Sequence, residues 1–138
     1  MPRGKTAEVR RAEAHLYLDK AVQFAKAAQS ELERKRYDSA LLNAIHSAIS
    51  STDSVTTALL GRRSTDPDHY QAVDLLEEAA GSAPEIKAKS RQVRSLLGRK
   101  NLVEYESRPA TARDAVDGVE RAIRILEWAR DVVRKARV

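Results

Sequence analysis

The sequence predicts an all-α protein, a compact bundle of about five helices. Three observations point there. Alanine, arginine and glutamate are abundant while aromatic residues make up only 4% of the chain, a composition that suits packed helices better than sheet. Apolar residues recur at spacings of three and four, the period of one helix face. Glycine, proline and capping residues fall between those runs, where helices stop and start.

The elements follow in order. A first helix is predicted from about Thr6 to Arg34, with Leu18, Ala21, Val22, Ala25, Ala28 and Leu32 on one face. A second opens near Asp38 and carries the cleanest apolar stripe, Leu41, Ala44, Ile45, Ala48, Ile49, Val55 and Leu59. Gly61 suits its C-terminal cap, and Asp66 before Pro67 suits the next N-cap. The third helix, roughly Pro67 to Ala80, should face inward through Tyr70, Val73 and Leu76. Gly81 and Pro84 mark another break, and the fourth helix should bury Ile86, Val93, Leu96 and Leu97. Thr111 can cap the last helix with Asp114 three residues on, a capping-box spacing with Asp in place of Glu. That helix should run to about Lys135.

The last helix has two apolar stripes. Val116, Val119, Ile123, Leu126 and Val133 form one, and Ile125, Trp128 and Val132 form another, displaced around the cylinder. So wide an apolar surface means either deep burial in the bundle or a homodimer paired through Ile125, Trp128 and Val132.

At 138 residues the chain is expected to be a single domain over 1–138. A domain of this size buries roughly two-thirds of its unfolded surface, so folding needs no metal or disulfide. There is no cysteine, which removes disulfides, thiolate metal sites and cysteine nucleophiles together. No segment reads as a signal peptide or a membrane span. A soluble cytoplasmic protein with no membrane partner is expected.

The net charge of +5 is uneven. Met1 to Ser90 holds 13 Lys/Arg against 13 Asp/Glu, whereas Arg91 to Val138 holds 12 against 7. The whole excess lies in the last third, which suggests an anionic partner there, nucleic acid being the commonest. A solvated arginine-rich helix face is the plainer explanation.

Few residues suit chemistry. His15 and His46 read as boundary or core histidines. No His/Asp/Glu group has zinc-ligand spacing, no glycine-rich phosphate loop occurs, and no serine elbow is present. No metal or cofactor is expected. His69 stands out because Arg62 and Arg63 precede it in "GRRSTDPDHY". An arginine can hold a phosphate while a histidine shuttles a proton, the minimum needed to cleave RNA through its own 2′-hydroxyl. The same residues also read as a solvent-exposed turn. A second candidate lies in "RKNLVEYESR". If the fourth helix continues past Gly98, Lys100 pairs with Glu104 and Asn101 with Tyr105 at i, i+4. These four polar groups would then end an inward or interface-facing stripe. Buried polar groups need partners, so the cluster is either a structural polar lock or a site.

The run of Ala and Glu in the first helix, "RYDSALLNAIHSAIS" in the second, Asp68-His69 with Leu75-Leu76 in the third, and a polar knot before the last helix together resemble the HEPN domain. The resemblance covers about Ala7 to Arg134. It implies a small all-α bundle, usually dimeric, many of whose members are metal-independent RNases of toxin–antitoxin and phage-defence systems. Active members carry an arginine, commonly a polar residue after it, and a histidine four to six residues later, near the end of a late helix. "KNLVEY" occupies that place: Lys100 replaces the arginine, Asn101 fits the polar position, and no histidine follows. Glu104 and Tyr105 stand in its neighbourhood. The literal arginine–spacer–histidine from Arg63 to His69 comes one helical connection too early. Either the nuclease chemistry is absent, or it is rebuilt from Lys100, Glu104 and His46 or His69.

The expected function is therefore an HEPN-like, RNA-directed protein of the toxin or defence type with a degenerate site. Lys100, Asn101, Glu104, Tyr105, Arg63 and His69 are its candidate residues. Its implied partners are RNA, a second copy of the chain and a nucleotidyltransferase-like antitoxin. The alternatives are a non-catalytic dimeric module that binds a partner protein, and a nucleotide-binding regulatory domain.

Overall fold

A computed structural model describes residues 4–138; the first three residues of the expected domain lie outside it. Six helices form the described chain: α1 (Ala14–Glu33), α2 (Tyr37–Leu60), α3 (Tyr70–Glu77), α4 (Ile86–Leu97), α5 (Lys100–Tyr105) and α6 (Ala112–Ala136). The five expected helices are there, and the polar "KNLVEY" segment is a sixth, short one after a break at Gly98 and Arg99.

α1 and α2 run antiparallel because Arg34–Arg36 is too short for anything but a tight reversal, with Lys35 in the left-handed region at φ 60°. α2 is buried almost all round. Its small residues, among them Ala40, Ala44, Ser47, Ala48 and Ser51, let neighbouring backbones approach closely. Two of its buried hydroxyls bond to backbone, Ser47 Oγ donating to Ala21 O of α1 at 2.8 Å and Thr52 Oγ1 to Ala48 O at 2.9 Å, whereas Ser51 Oγ and Thr57 Oγ1 have no partner among the described residues. Such bonds to backbone carbonyls lower the cost of placing a polar-looking stretch in the core.

α6 lies along α1 and α2 and completes the core. One set of apolar side chains gathers around Leu41, Ile45, Val73, Val93, Leu96 and Ile125, and a second around Leu18, Val55, Leu76, Ile86, Leu126 and Val133. Gly118 makes the crossing possible, since a Cβ there would meet Leu41 Cδ1 at 2.5 Å. The Thr111–Asp114 capping box forms as expected: Thr111 Oγ1 accepts from Asp114 N at 3.1 Å, and Asp114 Oδ2 accepts from Thr111 N at 3.0 Å.

Three expectations need correction. Thr6–Glu8 is not helical. It is a strand, β1, paired antiparallel with β2 (Arg62–Ser64), with Ala7 opposite Arg63. Helical propensity there yields to a tertiary partner, and a short 3-10 turn at Arg11–Glu13 leads into α1. Tyr70, expected inside, is 39% exposed because α3 begins only there and turns Val73 and Leu76 inward. Ile125, Trp128 and Val132 do not form an outward dimer face. Ile125 is fully buried and Trp128 is only 8% exposed, its indole N–H donating to Pro84 O at 3.3 Å under the α3–α4 connection. The second stripe exists because α6 is covered on two sides within one chain.

Candidate functional site

α2 builds the floor of the site. His46 and Asp53 lie seven residues apart, two helical turns, so both point to one side of the helix. Ile49 and Ser50 lie between them. The walls come from α1, β2, the start of α3 and α5.

The first cavity, about 460 Å³, lies between α1 and the Asp53 end of α2 and is lined by Tyr17, Lys20, Gln23, Phe24, Ser50, Asp53 and Arg63. The β1–β2 pair holds Arg63 there: its guanidinium stands 5.6 Å from the Tyr17 ring centre, and Nη1 donates to Ser64 O at 3.2 Å. A second cavity of about 210 Å³ shares Asp53 and Arg63 with the first and reaches His69. A third, about 250 Å³, shares His69 with the second and is bounded by Tyr70, Lys100, Asn101 and Tyr105. The three adjoin in a row that forms the candidate groove, through Asp53 and Arg63 between the first two and His69 between the last two. The two sequence candidates, Arg63 with His69 and Lys100 with Glu104, are neighbours in space.

The loop before α3 fixes His69. Asp66 Oδ1 accepts from Asp68 N at 2.9 Å and Asp68 Oδ1 from Tyr70 N at 3.0 Å, so the two aspartates hold the turn that leads into the helix. Asp66 is held below the ordinary carboxylate range by these backbone N–H groups, Asp68 N and Lys5 N.

Electrostatics ties the histidines to α5. Burial lowers the His69 pKa, and Lys100 lowers it further against the opposing pull of Asp68 and Glu104. Burial also lowers that of His46, with His69 and Lys100 adding to the effect. Both imidazoles are therefore neutral near pH 7, ready to accept a proton. The His46 ring centre lies 5.4 Å from that of Phe24.

The expected polar lock is corrected by the geometry of α5. Lys100 Nζ and Glu104 Oε2 do pair, at 2.9 Å, and this hydrogen bond holds Glu104 below the ordinary glutamate range. But α5 buries no residue, Asn101 is exposed, and Tyr105 is 76% exposed. The helix is too short, and too far out on the bundle, to enclose its polar side chains.

Sequence reasoning missed Asp53. Burial raises its pKa from 3.8 to about 7, against the lowering influence of Arg63 and Lys20. Its signal was present: it is the one carboxylate between Asp38 and Gly61, on the most deeply buried helix, two turns from His46. Among the described residues no three His, Cys, Asp or Glu side chains gather as metal ligands, and no helix is long and apolar enough to cross a membrane.

A family model for the HEPN domain matches residues 14–132, from the first residue of α1 to the last turns of α6. The chain belongs to the HEPN domain family. The match takes in α1, α2, β2, α3 and α5, and hence the floor and every wall of the groove. HEPN domains are of the RNase and toxin- or defence-system type, and they often dimerise. No curated protein matches the chain.

Proposed function

We propose that this HEPN protein binds single-stranded RNA along the groove and cleaves it slowly through the RNA's own 2′-hydroxyl, as a cytoplasmic toxin or defence component. The observation that carries the reading is His69 at the junction of the cavities, with His46 and Lys100 in electrostatic reach. The histidine expected after Lys100 in sequence has two substitutes from elsewhere in the chain.

Lys100 holds the phosphate, and neutral His69 takes the proton of the 2′-hydroxyl. The oxygen attacks the adjacent phosphorus and the bond to the 5′-oxygen breaks, leaving a cyclic phosphate and a 5′-hydroxyl. That leaving oxygen takes a proton from the protonated form of His46. Because both histidines are held neutral, the acid is scarce at pH 7, and cleavage is slow for that reason. Tyr70 and Tyr105, both exposed beside Lys100, offer ring faces on which bases stack, each worth about 1–3 kcal/mol. A second copy of the chain and a nucleotidyltransferase-like antitoxin remain part of the proposal, with pairing on a face other than the Trp128 stripe.

The test is binding and cleavage of a labelled single-stranded RNA at low salt. Lys100→Ala should weaken binding, and His69→Ala should abolish cleavage while leaving binding largely intact. The pH profile adds a sharper check. The productive state needs one histidine neutral and one protonated, which is most populated between two pKa values that both lie below 6.5. kcat/KM, which reports the free protein's groups, should peak on the acid side of pH 6.5. Unaltered cleavage by His69→Ala, or no RNA binding by the wild type, would refute the reading.

A further inference from the structure

The cavity of about 460 Å³ has a composition that phosphate binding alone does not explain. Asp53 lies in its wall with no hydrogen-bond or ion-pair partner for its carboxylate among the described residues, and only the fields of Arg63 and Lys20 act on it. A carboxyl desolvated and left unpaired on a bundle's central helix costs stability. Arg63 lines the same cavity, yet the two form no ion pair: the guanidinium is turned to Tyr17 and Ser64 O. A carboxylate and a guanidinium thus line one space without pairing to each other, with Tyr17 and Phe24 beside them.

We propose that this cavity is a guanine-binding subsite, in which Asp53 accepts from the base's N1–H and its exocyclic amine while Arg63 donates to O6 or N7. Guanine is the base that places two adjacent donors on one edge and two acceptors on the next. A carboxylate takes the first pair bidentately and a guanidinium takes the second. Adenine and cytosine put a donor beside an acceptor on the edge that would meet Asp53, and uracil has a single ring N–H there. Flat rings at the cavity side suit a splayed base of a single strand, which proteins read by stacking and by its Watson–Crick edge. The cavity joins the His69 cavity through Asp53 and Arg63, so a base held here belongs to a nucleotide next to the phosphate at His69. The subsite rests on the RNA reading above only for where its guanine comes from. A protein carboxyl that titrates near neutrality adds a consistent detail, since two guanine donors favour the ionised form.

Four fluorescein-labelled octamers test this with the full chain: all-uridine, and the same strand with one central G, A or C. Guanosine 5′-monophosphate is titrated separately by calorimetry. The single G should tighten binding at least about tenfold over all-uridine, with no such gain for A or C. Asp53→Asn, which presents one donor and one acceptor, should lose that gain and favour A instead, with its melting curve confirming a folded protein. Arg63→Met gives a second route to the same loss. Binding of the all-uridine strand with no gain from G, or a gain that survives in both variants, overturns the subsite and leaves the RNA reading standing. Binding of the monophosphate, lost in Asp53→Asn, without binding of any octamer upholds the subsite for a free nucleotide and refutes the RNA reading. Failure of every probe overturns both.

Discussion

Asp53 shows how one residue can cost stability where it can serve recognition. Its folded pKa of about 7 stands above the ordinary 3.8 because burial outweighs the pull of Arg63 and Lys20. For an acid raised in this way the folded state holds the proton longer than the unfolded chain, so stability falls as pH rises through the interval between the two values and levels off above the folded pKa. The difference corresponds to on the order of a few kcal/mol. Asp53→Asn keeps the shape and removes the charge. It should therefore melt at about the wild-type temperature near pH 3.5 and several degrees higher at pH 8, the gain growing across the interval. Thermal melts at the two pH values check this; equal gains at both would mean that packing, and not ionisation, sets the difference. Lys100 and Glu104 differ, because their pair lies on the surface. Removing it should leave the melting temperature nearly unchanged, so a binding defect in Lys100→Ala reads directly as a lost contact.

At the scale of elements, the breaks between helices hold the fold in register. Gly61 ends α2 in the left-handed region at φ 65°, its N–H donating to Thr57 O at 3.0 Å, and the chain turns at once into β2 and Arg63. Gly61→Ala places a Cβ where L residues are strained and should cost about 1 kcal/mol, read as a lower denaturant midpoint with unchanged slope. Caps of this kind, and the Thr111–Asp114 box, were legible in the sequence because their chemistry is local. The β1–β2 pair was not, since three extended residues at Thr6–Glu8 owe their conformation to a strand more than fifty positions away. Ile125, Trp128 and Val132 misled for a related reason: a second apolar stripe looks the same whether it meets another chain or the loop at Pro84. The site was half legible. Arg63, His69, Lys100 and Glu104 were all visible as residue types, but they read as two rival sites because the return of α5 to α2 beside the start of α3 is a property of the packed bundle. Asp53 escaped notice because an isolated carboxylate has no motif.

Across the whole molecule the charge pattern has a different meaning in three dimensions. Many cations of the last third are paired along α6 and its neighbours, Arg99 and Arg121 with Asp117, Arg124 with Glu120, and Arg134 and Lys135 with Asp131; these acids are among its seven, so the excess itself stands. The cations of the groove come from three separate parts of the chain, Lys20 on α1, Arg63 on β2 and Lys100 on α5. A strand bound in the groove would meet these three cations, with Asp53, Asp66 and Asp68 lining the same cavities. Counterion release then makes its affinity fall with salt, with a slope near −0.7 in log–log form for each phosphate neutralised on a single strand. Two or three contacts give a slope of roughly −1.4 to −2.1. Lys100→Ala should reduce that slope by about 0.7 and lower affinity most at low salt. Arg134→Ala, which removes a cation on α6 that lines none of the groove's cavities, should change neither. Titrations of one labelled octamer at four salt concentrations separate the two cases. Equal effects of the two substitutions would mean that the strand lies along α6, as the charge count alone suggested, and that the groove is not its path.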